Sequence, residues 1–327
     1  MIGKLTSNQL KEMVFKHLTY RRPEVLIRPA VGEDCAAVDF GEEVLIISTD
    51  PITGTASEVG KLAVNINLND IASNGVAPFG LMLTVLAPVG TTLEEIEMVM
   101  SQAAIEAEKN QVEIMGGHTE ITDAVNRIVV SAVAIGKQPK SELIKTSDIA
   151  LDDVIIMTKT VGLEGTGIIA FEKEAELTTQ FGPEMVADAK KLLDQTSVVK
   201  EGVLAGKFKI HGMHDVTEGG LLGAIWELCD ASGLGCIIDT ASIPIQSSTA
   251  LICDHYDIDP LRLISSGSLI IIACEETAES LLKKFDEEGV DAQVIGKIID
   301  DACLIDDEGE LFEIPPPEGD ALYDVLG

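Results

Sequence analysis

The first half of the chain carries four acidic signatures whose residue types suit one kind of chemistry. Asp34 follows Glu33 in VGEDCAAV (31–38), and Asp50 ends the β-branched run EEVLIISTDP (42–51). Asp70 lies in GKLAVNINLNDIASNGVAP (60–78), and Glu120 follows Gly116, Gly117, His118 and Thr119 in GGHTEIT (116–122). One aspartate after a strand is most often a turn residue, so each signature alone is weak. Gathered in one place, carboxylates repel: at ~4 Å and an effective dielectric of ~20, each pair costs about 4 kcal/mol. A divalent cation reverses that sign, and hard oxygen ligands that leave positions for phosphate oxygens suit Mg2+. The glycine pair Gly116-Gly117 would let backbone approach a ligand closely.

The elements that must position these residues are legible in part. The 60–78 stretch holds four asparagines and one aspartate among apolar residues. Alternation would make it a strand, but a strand of that length lacks a turn signal before Asn74-Gly75. A helix from about Lys61 ends there naturally, because Asn-Gly supplies a left-handed C-cap and Pro78 follows. Asn67, Asp70 and Asn74 then share one face, with Leu62, Ile66, Leu68, Ile71 and Ala72 covering much of the rest. Such a helix should be largely buried, and a buried carboxylate must be paired or bind a cation. The amide stripe is either an internal hydrogen-bond network or a ligand site, and the segment alone leaves both open.

EEVLIISTDP reads as a strand delivering Asp50, and RIVVSAVAIGK (127–137) as another. TTLEEIEMVMSQAAIEAEKN (91–110) is a helix with a Thr92/Glu95 capping box. A polar bridge, KQPKSELIKTSD, precedes a new strand pattern, which divides the chain into residues 1–146 and 147–327. The second half alternates as well: GLEGTG into a helix, DVTEGGLLGAIWELCDASGLG as a helix, then SSGSLIIIACEE and AQVIGKIID as strands around a helix. The expected class is α/β, mixed α+β, in two domains. A length of 327 residues agrees.

A net charge of −32 repels nucleic acid and anionic membranes at long range. The charge also repels ATP unless a cation intervenes. Solubility is the simplest reading of the acidity. No run of about 18 apolar residues marks a membrane span, and MIGKLTSNQLKEMVFKHL reads as a short amphipathic helix rather than a signal peptide. The six cysteines form no CxxC pair and sit largely in apolar runs, which suits reduced thiols in a cytoplasm.

GEDCAAV, STDP, GKLAVNINLNDIASNGVAP, GGHTE, DVTEGGLLGAIWE and SSGSLIII, in this order and over nearly the whole chain, resemble the aminoimidazole ribonucleotide (AIR) synthase superfamily. The nearest resemblance is to its HypE-like hydrogenase-maturation branch. The resemblance implies two α/β domains, the first pairing with a second copy into a β-barrel across a homodimer. It implies Mg2+ and ATP bound without a Walker A motif, and a small-molecule substrate whose carbonyl- or amide-type oxygen is activated or phosphorylated. By motif, Asp34, Asp50, Asp70 and Glu120 would hold Mg2+. Asp70 and Asn67 would act at the catalytic centre. Lys61, Asn69, Gly116, Gly117, Thr119 and Asp34 would contact the nucleotide. A HypE-type member would work with a carbamoyltransferase partner, whereas a non-catalytic ATP-binding regulator is the other alternative.

Departures accompany the resemblance. His118 stands where many relatives have aspartate, residues 1–30 hold no cysteine, and the chain ends EIPPPEGDALYDVLG rather than in a cysteine. The last cysteine, Cys303, reads as part of a short strand in DDACLIDD, where its thiol is expected neither to swing nor to ionise easily. The expectation is therefore no carbamoyl transfer to this chain. Pro315-Pro316-Pro317 reads as a stiff spacer, after which Tyr323 and Leu326 could dock on the body. His211 and His214 have metal-like spacing without further ligands nearby. Asp215 and Glu218 precede a helix start that either caps itself or binds an anion. GLEGTG is either a substrate-facing loop or a turn.

Overall fold

A computed structural model describes residues 3–53 and 58–326. After α1 (Ser7–Gln9), which continues as irregular helical turns to His17, the first unit runs β1 (Val25–Ile27), β2 (Ala36–Asp39), β3 (Glu43–Ile52), α2 (Val59–Ala72), β4 (Pro78–Pro88), α3 (Leu93–Lys109), β5 (Glu113–Thr122) and β6 (Val129–Pro139). Its six strands form an open sheet in the order β1-β2-β3-β6-β4-β5. Only β4 and β5 pair in parallel; the other pairs are antiparallel.

The second unit comprises β7 (Val154–Thr158), α4 (Leu163–Glu172), α5 (Glu174–Phe181), α6 (Pro183–Lys191), α7 (Val199–Ala205), β8 (Gly212–Asp215), α8 (Gly220–Ser232), β9 (Gly235–Asp239), α9 (Ser247–Tyr256), β10 (Leu269–Ala273), α10 (Glu275–Glu288), β11 (Ala292–Ile299), β12 (Cys303–Asp307), β13 (Glu310–Glu313) and α11 (Leu322–Leu326). Its seven strands follow the order β13-β12-β9-β11-β7-β10-β8. The fold is thus mixed α/β in two units. Each sheet is open in the single chain, so the barrel implied by the resemblance is not a feature of one copy.

The ambiguous stretch is a helix. α2 starts two residues before Lys61 and stops at Ala72, where Gly75 (φ +76°) donates its N–H to Ala72 at 2.8 Å. Every residue of α2 but Lys61 is buried. It lies between the first sheet and two helices, and glycines set how closely those helices approach. A Cβ on Gly60 would sit 2.1 Å from the Val99 carbonyl of α3, and one on Gly202 of α7 would sit 2.3 Å from that of Ala72. Leu62, Leu68 and Ile71 are fully buried, each contributing about 1.5–3 kcal/mol.

Burial between two units explains the amides. Asn69 accepts from the Val198 N–H (2.8 Å) and donates to the Thr196 carbonyl (2.8 Å), and Asn65 donates to the Thr196 hydroxyl (3.1 Å). Asn67 takes the Asp50 N–H (2.8 Å) and donates to the Asp50 and Ala63 carbonyls. The amides are the polar joints of an otherwise apolar helix: Asn67 and Asn69 use both ends of their amides, and Asn65 uses its N–H end.

Candidate active site

Asp50 emerges from β3, Asp70 from the last turn of α2, Asp34 from the loop before β2, and Asp215 from the end of β8. Asn67 fixes the Asp50 backbone from both sides, so one turn of α2 sets the position of both Asp50 and Asp70. Ser48 donates to an Asp70 oxygen and to the Asp34 carbonyl, and Ser73 donates to the Asp34 carboxylate at 3.3 Å. The charge of Asp50 acts directly on Asp70.

The electrostatics identify one shared field. Burial pushes the Asp70 carboxyl well above the ordinary range, and the charges of Asp215, Asp50 and Asp34 push it further. Asp215 is raised likewise, by burial and then by Asp34, against the pull of His214. The His214 ring donates from Nδ1 to the Asp215 carbonyl (2.6 Å), and its Nε2 lies 3.3 Å from both Asp34 and Glu227. Burial opposes its charge, but Asp34 and Glu227 outweigh that and lift it to about 10. Lys4 reaches the same acids from the N-terminal segment, 3.8 Å from Glu227.

Among the described residues, both Asp215 carboxylate oxygens are buried and find no hydrogen-bond partner. Asp34, His214 and Asp215 each present a ligand atom within 4.8 Å of the others. An unpartnered buried carboxylate among three more carboxyl groups is a donor set of hard oxygens, and it fits Mg2+.

Beside this cluster opens a cleft of about 550 Å³ between the two units, bordered by Lys4, Asp50, Arg127, Glu164, Glu218 and Tyr323. That volume is within the range of small-molecule sites. Glu164 enters from the first turn of α4, where Gly162 adopts φ +70°. Its carboxyl is raised to about 7, chiefly by burial, with Asp320 and Glu218 adding to the effect. GLEGTG is therefore a helix start facing the cleft. Tyr323 and Leu326 of α11 line it too, so the segment beyond the three prolines docks on the body.

Several predicted residues are placed elsewhere. Lys61 is held by Asp194 at 2.5 Å rather than by the acidic cluster, and both ends of the Asn69 amide are used between the units. Gly116, Gly117, Thr119 and Glu120 lie on the exposed edge strand β5. Asp50 pairs with Ala132, Ala132 with Leu83, and Leu83 with Gly117. That separation is three strand spacings, about 14 Å, so Glu120 does not join the aspartates within one chain. Instead it contacts His118 at 3.0 Å. Both sit beside Thr84 and Leu86 in the parallel ladder, on the face opposite the buried Leu83 and Val85.

Asp215, which the sequence leaves open between a cap and part of an anion-binding helix start, and His214, whose metal-like spacing lacks a partner in the sequence, are both brought into the site by strand β8. Capping of the following helix falls to Asp320, whose Oδ2 accepts the Gly219 N–H at 2.7 Å. Of the two readings left open for that helix start, the structure thus shows capping, by a carboxylate of the chain itself. His211 pairs with Asp153 at 2.7 Å. No local pattern marked Lys4 or Glu227. Cys303 is in a strand as expected, but hydrogen bonds from Cys229 and Cys236 pull its thiol down rather than leaving it hard to ionise.

Comparison with known proteins agrees with this architecture. Residues 32–138 match the model for the AIR synthase related protein N-terminal domain, and residues 151–305 match that for the C-terminal domain. A Methanocaldococcus jannaschii protein named for hydrogenase expression and formation is 28% identical over 90% of this chain and 88% of its own length. The carbamoyl dehydratase HypE of Rhizobium leguminosarum bv. viciae is 25% identical over 83% of this chain and 78% of its own. Among solved structures, HypE in a HypE–HypF complex superposes with a TM-score of 0.78 at 22% identity, covering 94% of this chain and 99% of that one. HypE in complex with ATP gives 0.70 at 21% identity, covering 99% and 97%. These two structural likenesses show the fold. The chain belongs to the AIR synthase-related family, near its HypE proteins.

Proposed function

We propose that this AIR synthase-related protein is a Mg2+- and ATP-dependent enzyme that phosphorylates, and so activates, a carbonyl- or amide-type oxygen of a small-molecule substrate. The observation that carries the reading is the group of Asp34, Asp50, Asp70 and Asp215 beside the cleft, Asp70 and Asp215 buried and Asp34 and Asp50 half-buried, with the Asp215 oxygens unpartnered among the described residues. Those four carboxylates would hold Mg2+, which supplies charge neutralisation to the phosphates when bound. Lys4 and Arg127 face the cleft as cations for phosphate oxygens. The substrate oxygen attacks the γ-phosphorus, the bond from phosphorus to the bridging oxygen breaks, and ADP leaves. The phosphorylated oxygen is then a leaving group. Glu164, raised to about 7, can hold or release a proton at its carboxyl oxygen near neutral pH.

The working unit is a homodimer. Phe79, Met82, Met115 and Ile121 are 41–48% exposed on β4 and β5, an apolar surface that suits burial against a second copy. Pairing of the sheets into a barrel would carry His118 and Glu120 toward the partner's carboxylates. The free state of all six cysteines fits a reducing cytoplasm. Among the described residues no helix is long and apolar enough to cross a membrane.

Isothermal titration tests the reading: ATP should bind with Mg2+ far more tightly than with excess chelator, and Asp215→Asn should remove the difference. Equal binding without a divalent cation would sink it. A second reading, HypE-type dehydration with a carbamoyltransferase, is favoured by the names of the curated relatives. Intact-mass analysis after incubation with that transferase, carbamoyl phosphate and ATP separates the two. A cysteine adduct selects maturation, and its absence with ATP turnover retained selects the small-molecule reaction. Tight Mg2+-dependent ATP binding without turnover would select the regulator.

A further inference from the structure

Outside the residues that line the cleft, three thiols from three elements converge. Cys229 is in the last turn of α8, Cys236 is the second residue of β9, and Cys303 opens β12. Their sulfurs all lie within 4.8 Å of one another, Cys229 and Cys236 buried and Cys303 half-buried. Cys236 and Cys303 are direct partners in the parallel β9–β12 ladder, and α8 brings Cys229 over that pair.

We propose that Cys229, Cys236 and Cys303 form a binding site for a thiophilic cation of the Zn2+ type. Three sulfurs on a tetrahedral ion with Zn–S bonds of about 2.3 Å lie roughly 3.8 Å apart. Side-chain movements of under an ångström bring the present arrangement to that value. Soft thiolates select zinc and copper(I) over Mg2+, so the site does not compete for the ion of the acidic cluster. A water or a carboxylate would complete the tetrahedral set.

Three features of the surroundings favour a cation. The carbonyl end of α8 lies at Cys229, where the helix dipole is negative. Asp230 and Asp301 stand close enough to Cys303 to act on its charge. The backbone is held in place before any ion arrives. A Cβ on Gly235 would sit 2.2 Å from the Ala302 carbonyl, and Ala302 itself adopts φ +63°. The Cys236 N–H donates to that carbonyl at 3.0 Å. This tight turn presents Cys236 and Cys303 side by side. A bound ion would fasten the end of α8 to the sheet. The same helix carries Glu227, two residues from Cys229, to His214.

Titration of the fully reduced full-length protein with Co2+ reads the site directly. One equivalent should give visible bands of tetrahedral cobalt with near-ultraviolet thiolate charge transfer, and one equivalent of Zn2+ should bleach them. Cys303→Ser, at the half-buried position, should abolish the charge transfer, whereas Cys274→Ser, outside the cluster, should leave it intact. Zn2+ should raise the melting temperature of the native protein and not of Cys303→Ser. Absence of thiolate charge transfer in the native protein, or an unchanged spectrum in Cys303→Ser, would overturn the proposal.

Discussion

Glu164→Gln isolates the effect of one proton in the cleft. The carboxyl is fully enclosed at the start of α4 and raised from an ordinary 4.5 to about 7, chiefly because burial disfavours its charge. A carboxyl raised on folding binds its proton more tightly in the native state. Its favourable contribution is therefore complete below the unfolded value and is lost as pH climbs through about 7. The shift of roughly 2.5 units, at about 1.4 kcal/mol each, corresponds to about 3 kcal/mol between pH 4 and pH 8. Glutamine keeps the shape and cannot ionise, so the variant escapes that loss. With about 2.1 cal/mol/K of unfolding entropy per residue, 327 residues unfolding in one transition convert the roughly 3.4 kcal/mol of 2.5 units into about 5 °C. Melting curves of both proteins from pH 5 to 8.5, in the same buffer series with chelator, should nearly coincide at pH 5 and diverge to about 5 °C in favour of Glu164→Gln by pH 8. Every other titrating group is common to both, so the difference belongs to this carboxyl. Curves that stay parallel across the range would refute the burial argument and, with it, the neutral-pH proton assigned to this residue.

Three further outcomes follow from the same geometry. Asp70→Asn should fold, and with chelator at pH 8 should melt no lower than the native protein, because one of four crowded carboxylates is gone. Stabilisation by Mg2+ and ATP should largely disappear; native affinity in this variant would take Asp70 out of the site. Asn69→Ala leaves the Val198 N–H and the Thr196 carbonyl without their partner. At about 1–3 kcal/mol for each stranded group the loss should be about 2–6 kcal/mol in denaturant unfolding, and a change under 1 kcal/mol would contradict the role of that amide between the units. Lys4→Met removes a cation that faces Glu227, Asp34, Asp50 and Glu218, so it should lower the melting temperature with chelator and do so less with Mg2+. An equal drop in both conditions would argue against a shared field.

Much of the architecture was legible because local rules act on neighbours in the chain. The Asn-Gly stop after Asp70, the capping box at Thr92 and the β-branched run before Asp50 each specify an element from a few adjacent residues, and the elements appear within two residues of where the sequence places them. The acidic character of the site was equally legible, since carboxylates at the ends of such elements must find protons, cations or partners. What the sequence could not decide was which carboxylates meet. Asp215 is 145 residues from Asp70 in the chain and reaches it through the second sheet, whereas Glu120, only 50 residues away, is carried by β5 to the far edge of the first. Sheet order sets those distances, and strand order is a long-range choice that local pattern does not encode. The same reason hid the roles of the amides: the helical stripe read from the sequence was Asn67, Asp70 and Asn74, and only packing of α2 between two units decided that Asn65 and Asn69 join those units while Asn67 holds Asp50. It hid the three thiols as well, because Cys229, Cys236 and Cys303 have no metal-like spacing and become neighbours only when β12 inserts in parallel beside β9.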